Sequence, residues 1–188
     1  MGFFLIGCSK KEEPTYIKDK PEPEPVVEDT DNRSLVVYFS VSGNTKRVGD
    51  MIASLTGSDT YEIIVAEPYT EEDLDYHNKE SRSSIEQNDP DIRVDIKSED
   101  IDLNKYDTIY LGYPIWHGQA PRVMSTFVEK YDFSDIKVIP FCTSGSSDIG
   151  ESDDSLCALA GSGGWLQGKR FSANTTDEEL TDWLKKVQ

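Results

Sequence analysis

The residues best suited to binding chemistry lie in three short stretches, each placed where an apolar run ends. The first stretch directly follows the apolar run Leu35–Phe39 and reads Ser40-Val41-Ser42-Gly43-Asn44-Thr45. Small residues let the main chain curl closely around an anion, and the hydroxyl groups and the amides that open a helix donate hydrogen bonds to it. This composition favours a phosphate site that needs no buried cation. The alternative is a plain turn in which a threonine caps the helix.

The second stretch lies after the apolar run Thr108–Tyr113 and reads Pro114-Ile115-Trp116-His117-Gly118. An aromatic side chain between proline and glycine, just beyond a strand, is well placed to stack on a flat ring. The alternative for Trp116 is an aromatic residue at the edge of the core. We interpret His117 as a hydrogen-bonding loop residue and not as a proton donor.

The third stretch follows the run Lys137–Cys142 and reads Thr143-Ser144-Gly145-Ser146-Ser147-Asp148. It is again rich in hydroxyl groups and glycine. Such a loop supplies main-chain donors and room for a ligand to approach closely. A flexible surface loop is the alternative interpretation.

Several other binding motifs do not occur in the sequence. The nucleoside-triphosphate loop G-x-x-x-x-G-K-[ST] and the dinucleotide fingerprint G-x-G-x-x-G are absent. A low-molecular-weight tyrosine phosphatase needs a cysteine in its phosphate loop, and no cysteine lies between Leu35 and Thr45. The histidines and cysteines have no metal-ligand spacing, so we expect no metal site.

The elements that must position these stretches alternate between strand and helix from Ser34 onward. Continuous apolar runs favour strands covered on both faces, and apolar residues at helical spacing favour amphipathic helices. The predicted strands are Leu35–Phe39, Thr60–Ala66, Thr108–Tyr113, Lys137–Cys142 and Trp165–Ser172. The predicted helices are Asn44–Leu55, Leu74–Ile85, Pro121–Tyr131, Asp153–Ala160 and Thr176–Val187, with a short extended piece at Ile92–Ile96.

Five strands that alternate with helices predict one α/β domain built on a doubly wound, mostly parallel sheet. In such sheets, ligands bind beyond the carboxyl ends of the strands. The three stretches each follow a predicted strand, so we expect them to lie at the same edge of the sheet.

The composition narrows the range of partners. The chain has 188 residues and a formal net charge of −17, which argues against nucleic acid or an anionic membrane surface as a partner. An acidic surface suits docking to basic patches of proteins, or simply solubility. Cys142 and Cys157 are interpreted as thiols and not as a disulfide.

The amino-terminal residues Leu5-Ile6-Gly7-Cys8 resemble a bacterial lipobox, which implies a lipid anchor on Cys8. Residues 1–8 would be the remnant of a signal segment, and the polar, Pro- and Glu-rich residues 9–33 a disordered tether. Residues 34–188 would form the domain, held on the extracytoplasmic side of the cell membrane only through this anchor. The alternatives are a chance apolar end and a cytoplasmic protein.

Taken together, the three stretches resemble the loops of the flavodoxin family, most closely flavodoxin-like proteins with a P-I-W-x-G loop. The resemblance extends from Ser34 to about Gln188 and implies a flavodoxin-like, three-layered fold that binds FMN. It implies a phosphate loop, an aromatic side chain on the isoalloxazine ring, and a third loop at the polar edge of the ring. The implied cofactor-binding residues are Ser40, Ser42, Gly43, Asn44, Thr45, Pro114, Ile115, Trp116, His117, Gly118, Thr143, Ser144, Gly145 and, less directly, Ser146.

The resemblance leaves three hypotheses about function. The first is an FMN-binding electron carrier that serves a redox partner protein or a small electron acceptor. The second is an NAD(P)H-dependent FMN quinone or acceptor reductase, in which residues 67–100, with Tyr69 and Tyr76, roof a substrate pocket. The third is a cofactor-free adaptor that has kept the fold.

Overall fold

The computed structural model describes residues 1–2 and 33–188. Cys8 and nearly all of the predicted tether 9–33 lie outside the described residues. Residues 33–188 form the strands β1 (Ser34–Tyr38), β2 (Asp59–Glu62), β3 (Thr108–Pro114), β4 (Lys137–Thr143), β5 (Gly164–Trp165) and β6 (Lys169–Phe171). The α-helices are α1 (Asn44–Thr56), α2 (Arg82–Asn88), α3 (Arg122–Lys130), α4 (Ser152–Ala160) and α5 (Asp177–Val187). None of the helices in this part of the chain is long and apolar enough to cross a membrane.

The strands form one parallel sheet in the order β2-β1-β3-β4-β5, and β6 pairs with the end of β4. The chain therefore winds in one direction from β1 to β2 and in the other from β1 through β3, β4 and β5. This strand order confirms the predicted doubly wound α/β fold of flavodoxin type. Its switch point lies between β1 and β3, at the carboxyl ends of both strands.

Two apolar cores cover the two faces of the sheet and make the fold three-layered. Leu35, Val37 and Phe39 belong to the core that includes side chains of α3 and α4. Val36 and Tyr38 belong to the core that includes side chains of α1 and α5. Successive strand residues point to opposite faces, so β1 is buried on both sides, which explains its unbroken apolar run.

The edge of the sheet departs from the prediction of one strand over Trp165–Ser172. β5 pairs with β4 at Lys137 and Val138, and β6 pairs with β4 from Phe141 to Thr143. Pro140 lies between these two paired regions and has no N–H to donate. The prediction of a continuous strand was wrong, and the interruption falls where the ladder of β4 lacks a donor.

The helix predicted over Leu74–Ile85 was largely wrong. The chain instead makes a single 3₁₀ turn at Glu72–Leu74 and enters α2 only after Ser81. Between them, the carboxylate of Asp75 and the amide oxygen of Asn78 each accept a hydrogen bond from the amide two residues further on, at 3.0 and 2.9 Å. These local bonds compete with helical ones and favour turns.

The second strand is shorter than predicted. β2 ends at Glu62, after which Val65 and Ile96 form an isolated antiparallel bridge. This bridge is the only β-pairing of the predicted extended piece Ile92–Ile96 within residues 33–188. Residues 67–100 are therefore an irregular layer with α2 at its centre.

Candidate functional site

The three stretches identified in the sequence meet at the carboxyl end of the sheet. We call residues 40–45 the first loop, residues 114–120 the second loop and residues 143–150 the third loop. The amide of Ile115 donates to the carbonyl of Thr143 at 3.0 Å, which joins the second loop to the third. The hydroxyl groups of Thr45 and Thr143 lie 2.7 Å apart and are buried, which joins the first loop to the third.

The first loop carries a row of unpaired main-chain donors. No amide of residues 40–46 donates to an acceptor within residues 33–188. No side chain caps the start of α1, and its first turn has no acidic residue. Gly43, at a φ of 84°, turns the chain into the helix, and a Cβ atom placed there would meet nothing within 4 Å. Free donors at an open helix start are the arrangement that binds anions.

The side chains of the first loop add hydroxyl groups to this row. The Oγ atom of Ser40 is buried and has no hydrogen-bond partner among the residues described. The side-chain amide of Asn44 donates to Ser42 Oγ at 3.2 Å. Thr45 does not cap the helix, because its hydroxyl group pairs with that of Thr143.

The basic side chains next to the first loop donate to protein acceptors elsewhere, apart from the buried Nε atom of Arg47, which has no partner among the described residues. The Lys46 ammonium group donates to the Tyr38 hydroxyl at 2.8 Å and to Asp50 at 3.3 Å. The hydrogen bond to Tyr38 raises the pKa of this ammonium group. Arg47 donates to the carbonyl of Thr175 at 3.2 Å. An anion in the first loop would therefore be held mainly by amides and hydroxyl groups.

The second loop is a tight turn that exposes His117 beside Trp116. The main chains of Trp116 and Gln119 exchange two hydrogen bonds of 2.9 Å. Between them, His117 and Gly118 have φ values of 50° and 78°, as in a type I′ turn. A non-glycine residue in this conformation costs about 1 kcal/mol. The Nε2 atom of His117 lies 3.4 Å from Ser84 Oγ.

An aromatic cluster fixes one side of Trp116. Its ring packs edge-to-face against Phe39 and Tyr69, with centroid distances of 5.6 and 4.9 Å. The Tyr69 hydroxyl donates to Glu86 at 2.6 Å, and burial together with this carboxylate raises the pKa of Tyr69. Arg82 donates to the same carboxylate at 2.7 Å and lies 4.1 Å from the Tyr69 ring centroid. Residues 67–100 thus anchor Trp116 through the ring of Tyr69, which is itself held by Glu86 and Arg82.

Two residues that sequence reasoning missed support the second loop: Gln87 binds its main chain, and Arg122 binds the end of α2 and the side chain of Gln119. The side-chain nitrogen of Gln87 donates to the carbonyls of Trp116 and Ala120, both at 3.1 Å. Arg122 donates to the carbonyls of Glu86 and Gln87 at 3.0 and 2.8 Å. Each side chain acts on main-chain atoms 29 to 36 positions away, so no local pattern could have identified them.

The third loop is shaped by Arg170, which sequence reasoning also missed. Its guanidinium group donates to Ser144 Oγ at 3.0 Å and to the carbonyls of Ser144 and Gly145, each at 2.9 Å. Ser144 Oγ in turn donates to the carbonyl of Ser147. The amides of residues 145–148 have no acceptor in the part of the chain that the structure describes. They remain available to a ligand.

A cavity of about 340 Å³ lies between the second loop, the third loop and residues 67–100. Its size falls at the lower end of the roughly 300–1,000 Å³ of small-molecule sites. The cavity is lined by apolar side chains and by side chains with hydroxyl or imidazole groups, which are Leu74, Tyr76, Ser83, Ile115, Trp116, His117 and Ser147. The first loop does not line this cavity and joins the site through the contact between Thr45 and Thr143.

The profile of one protein family, described as flavodoxin, matches residues 33–187. The chain belongs to the flavodoxin family. No protein of curated function matches it significantly.

Three solved structures resemble this member of the flavodoxin family over nearly their whole length. A candidate flavoprotein from Bacteroides eggerthii is 40% identical, with a TM-score of 0.77, covering 82% of this chain and 97% of that chain. One from Bacteroides uniformis is also 40% identical, with a TM-score of 0.78, covering 82% and 98%. A flavoprotein from Lactobacillus acidophilus, in complex with FMN, is 25% identical, with a TM-score of 0.59, covering 81% and 99%.

In this flavodoxin-family chain, we expect Gln87→Met to lower the free energy of unfolding by about 2 kcal/mol. The substitution removes the donor of one buried and one partly buried hydrogen bond, and the carbonyl of Ala120 loses its side-chain partner. Urea unfolding followed by far-UV circular dichroism measures the change. Asn88→Met is the matched control, because Asn88 is the next residue of α2 and is exposed. An equal loss in both variants would show that Gln87 does not support the second loop.

We expect alkylating reagents at pH 8 to modify Cys157 and spare Cys142 in the folded protein. Cys142 and Cys157 are both free, and Cys142 is buried whereas Cys157 is partly exposed. Burial, with a smaller contribution from Asp148, raises the pKa of the Cys142 thiol to about 12, so the reactive thiolate is nearly absent at pH 8. Mass spectrometry after treatment with iodoacetamide measures both sites, and urea-unfolded protein should react at both. Equal modification rates in the folded protein would contradict the prediction.

Proposed function

We propose that the chain is a flavodoxin-type electron carrier that binds FMN at the carboxyl end of its sheet. The observation that carries this proposal is the row of unpaired amides in residues 40–46, next to the buried, partnerless hydroxyl group of Ser40. A phosphate monoester offers the acceptors that such donors require. The similar flavoprotein from Lactobacillus acidophilus, solved in complex with FMN, supports the same ligand here.

The residues present fit both the charged and the flat part of FMN. The phosphate would be held by the amides of the first loop with Ser40, Ser42, Asn44 and Thr45, while Gly43 leaves open space above the turn. The ring would lie beside Trp116, with Pro114, Ile115, His117 and Gly118 along its edge. Its polar side would face the third loop, with Thr143, Ser144, Gly145 and Ser146.

When bound, FMN supplies the redox chemistry that amino-acid side chains lack, by accepting and returning electrons. The chain holds the ring, limits the access of water and sets the surrounding charge. The formal net charge of −17 disfavours additional negative charge at the site, which lowers the potential of the bound flavin. A low potential suits a carrier that passes electrons to a redox partner protein or to a small acceptor.

Titration of the protein with FMN, followed by quenching of flavin fluorescence, tests this proposal. We expect a one-to-one complex at least about tenfold tighter than that with riboflavin, because only FMN brings a charged phosphate to the donors. Dithionite should then reduce the complex in two resolved one-electron steps. Absence of binding would overturn the proposal and favour the cofactor-free adaptor. Equal affinity for riboflavin would overturn the assignment of the first loop.

The cavity beside the second loop favours a second candidate function, an NAD(P)H-dependent FMN quinone or acceptor reductase. Leu74 and Tyr76 line this cavity opposite the second loop, and the Tyr76 side chain is 70% exposed. A small substrate could therefore enter from the side of residues 67–100. Sustained oxidation of NADPH in the presence of a quinone would support the reductase, whereas a carrier shows no sustained turnover.

We also propose that a lipid on Cys8 tethers the domain to the outer face of the cell membrane. The support is the sequence Leu5-Ile6-Gly7-Cys8 and the polar composition of residues 9–33. Membrane fractionation of cells that express the wild type and Cys8→Ser tests it. We expect the wild type with the membranes and Cys8→Ser in the soluble fraction, and the same distribution for both would overturn the proposal.

A further inference from the structure

Arg170 lies against the third loop and binds it through three hydrogen bonds. β6 pairs this residue with Cys142, near the end of β4. From there the guanidinium group reaches Ser144 Oγ and the carbonyls of Ser144 and Gly145, at 2.9 to 3.0 Å. A planar guanidinium group has donors in fixed directions, so it holds a loop in one shape better than an ammonium group does.

No carboxylate is in direct contact with the guanidinium group of Arg170 among residues 33–188. Its acceptors are all neutral oxygen atoms, and it forms no ion pair within residues 33–188. Lys46, Arg82 and Arg93, by comparison, each lie within 3.3 Å of a carboxylate oxygen. Arg170 therefore places an unpaired cation at the third loop of a chain whose net charge is −17.

The charge of Arg170 lies close to the end of β4, because β6 pairs Arg170 with Cys142. Arg170 acts to lower the pKa of Cys142, against the larger effects of burial and of Asp148. A group that lies across the third loop would also interact with the charge of Arg170, although the partial exposure of this side chain and the carboxylate of Asp148 in the same loop weaken the effect.

We propose that Arg170 is a positioning residue that sets both the shape of the third loop and the redox potential of the flavin. By binding the carbonyls of Ser144 and Gly145, it keeps the amides of residues 145–148 free for the polar edge of the ring. Its charge stabilises the electron added on reduction and opposes the acidic background. This inference rests on the proposed FMN site and deepens it.

Three substitutions separate shape from charge. Arg170→Gln removes both the charge and the planar set of donors, whereas Arg170→Lys keeps the charge without that set. Lys105→Gln is the control, because it removes one positive charge far from the site. The Lys105 side chain is 60% exposed, lies 3.9 Å from the exposed carboxylate of Asp102 and comes just before β3, at the opposite end of the sheet. We expect both Arg170 variants to bind FMN about tenfold more weakly and Lys105→Gln to bind it as tightly as the wild type.

The redox potential of the bound flavin is the measurement that a purely structural role of Arg170 would not change. In a redox buffer of fixed potential, we expect Arg170→Gln to lower the ratio of reduced to oxidised flavin about tenfold. For a two-electron couple this equals a shift of about 30 mV. Arg170→Lys and Lys105→Gln should each change the ratio less than about twofold. A shift in Arg170→Gln no larger than in Lys105→Gln would overturn the role of the charge.

Amide hydrogen exchange of the FMN-free protein tests the loop role without the cofactor. We expect residues 144–150 to exchange faster in both Arg170 variants, with β1 and β3 unchanged. Unchanged exchange in the loop would overturn the positioning role. If the wild type binds no FMN, the proposed function fails, and this measurement still decides whether Arg170 shapes the loop.

Discussion

Ser42→Asp is expected to weaken FMN binding at least about 100-fold and yet to stabilise the FMN-free protein slightly. Ser42 is exposed in the first loop, just before Gly43 and the start of α1. Two unit charges of the same sign 4 Å apart repel by about 4 kcal/mol at an effective dielectric constant of 20. A 100-fold loss of affinity needs only about 2.8 kcal/mol. Without the ligand, the new carboxylate faces an uncapped helix start, which favours it by about 0.3–1 kcal/mol.

Opposite signs for binding and stability make this test specific. Ser42→Asn introduces a side chain with the size and polarity of aspartate but without its charge. Gln167→Glu adds the same negative charge at an exposed residue between β5 and β6. Fluorescence titration with FMN and riboflavin, together with urea unfolding, measures both effects. Riboflavin lacks the phosphate, so Ser42→Asp should weaken its binding far less. If Ser42→Asp binds FMN as tightly as Ser42→Asn does, the phosphate does not lie in the first loop.

The first loop was the easiest part of the site to predict, because its chemistry is local. The apolar run of β1, the glycine at positive φ and the start of α1 are consecutive in the sequence. A doubly wound parallel sheet places the carboxyl ends of its strands at one edge, so the second and third loops had to lie close to the first. The contact between Thr45 and Thr143 follows from this topology, although its partners are 98 positions apart.

The supporting residues could not be predicted in the same way. Gln87 and Arg170 act on carbonyl groups of distant loops, and neither lies in a motif. In residues 67–100, side chains such as Asp75 and Asn78 bind nearby amides and override the apolar periodicity. At the sheet edge, the strand predicted over Trp165–Ser172 is divided into β5 and β6 opposite Pro140, which has no N–H to donate to a neighbouring strand. In each case the deciding interaction is absent from the local pattern of apolar and polar residues.

Gly112→Ala is expected to lower the free energy of unfolding by about 3 kcal/mol, since it overfills the core at the centre of the sheet. Gly112 pairs in register with Phe141 of β4. A Cβ atom at this position would lie 2.2 Å from Phe141 Cζ, far below a normal contact. Phe141 is fully buried and packs against Phe171, with ring centroids 6.4 Å apart, so its ring has little room to move. Urea unfolding of Gly112→Ala measures the loss.

A second substitution, Phe141→Leu, tests whether the collision with the Phe141 ring causes the loss of stability in Gly112→Ala. Leucine shortens the side chain over the new methyl group, so the double variant should lose less stability than the two single losses added together. We expect an interaction of at least about 1 kcal/mol in this double-mutant cycle. Gly164→Ala is the control, because its Cβ atom would lie at an ordinary 3.7 Å from the carbonyl of Ile136. Additive losses would indicate that the strain in Gly112→Ala lies in the backbone of β3. The predicted rescue would indicate that the strain comes from the ring of Phe141, two residues before Thr143, where the third loop begins.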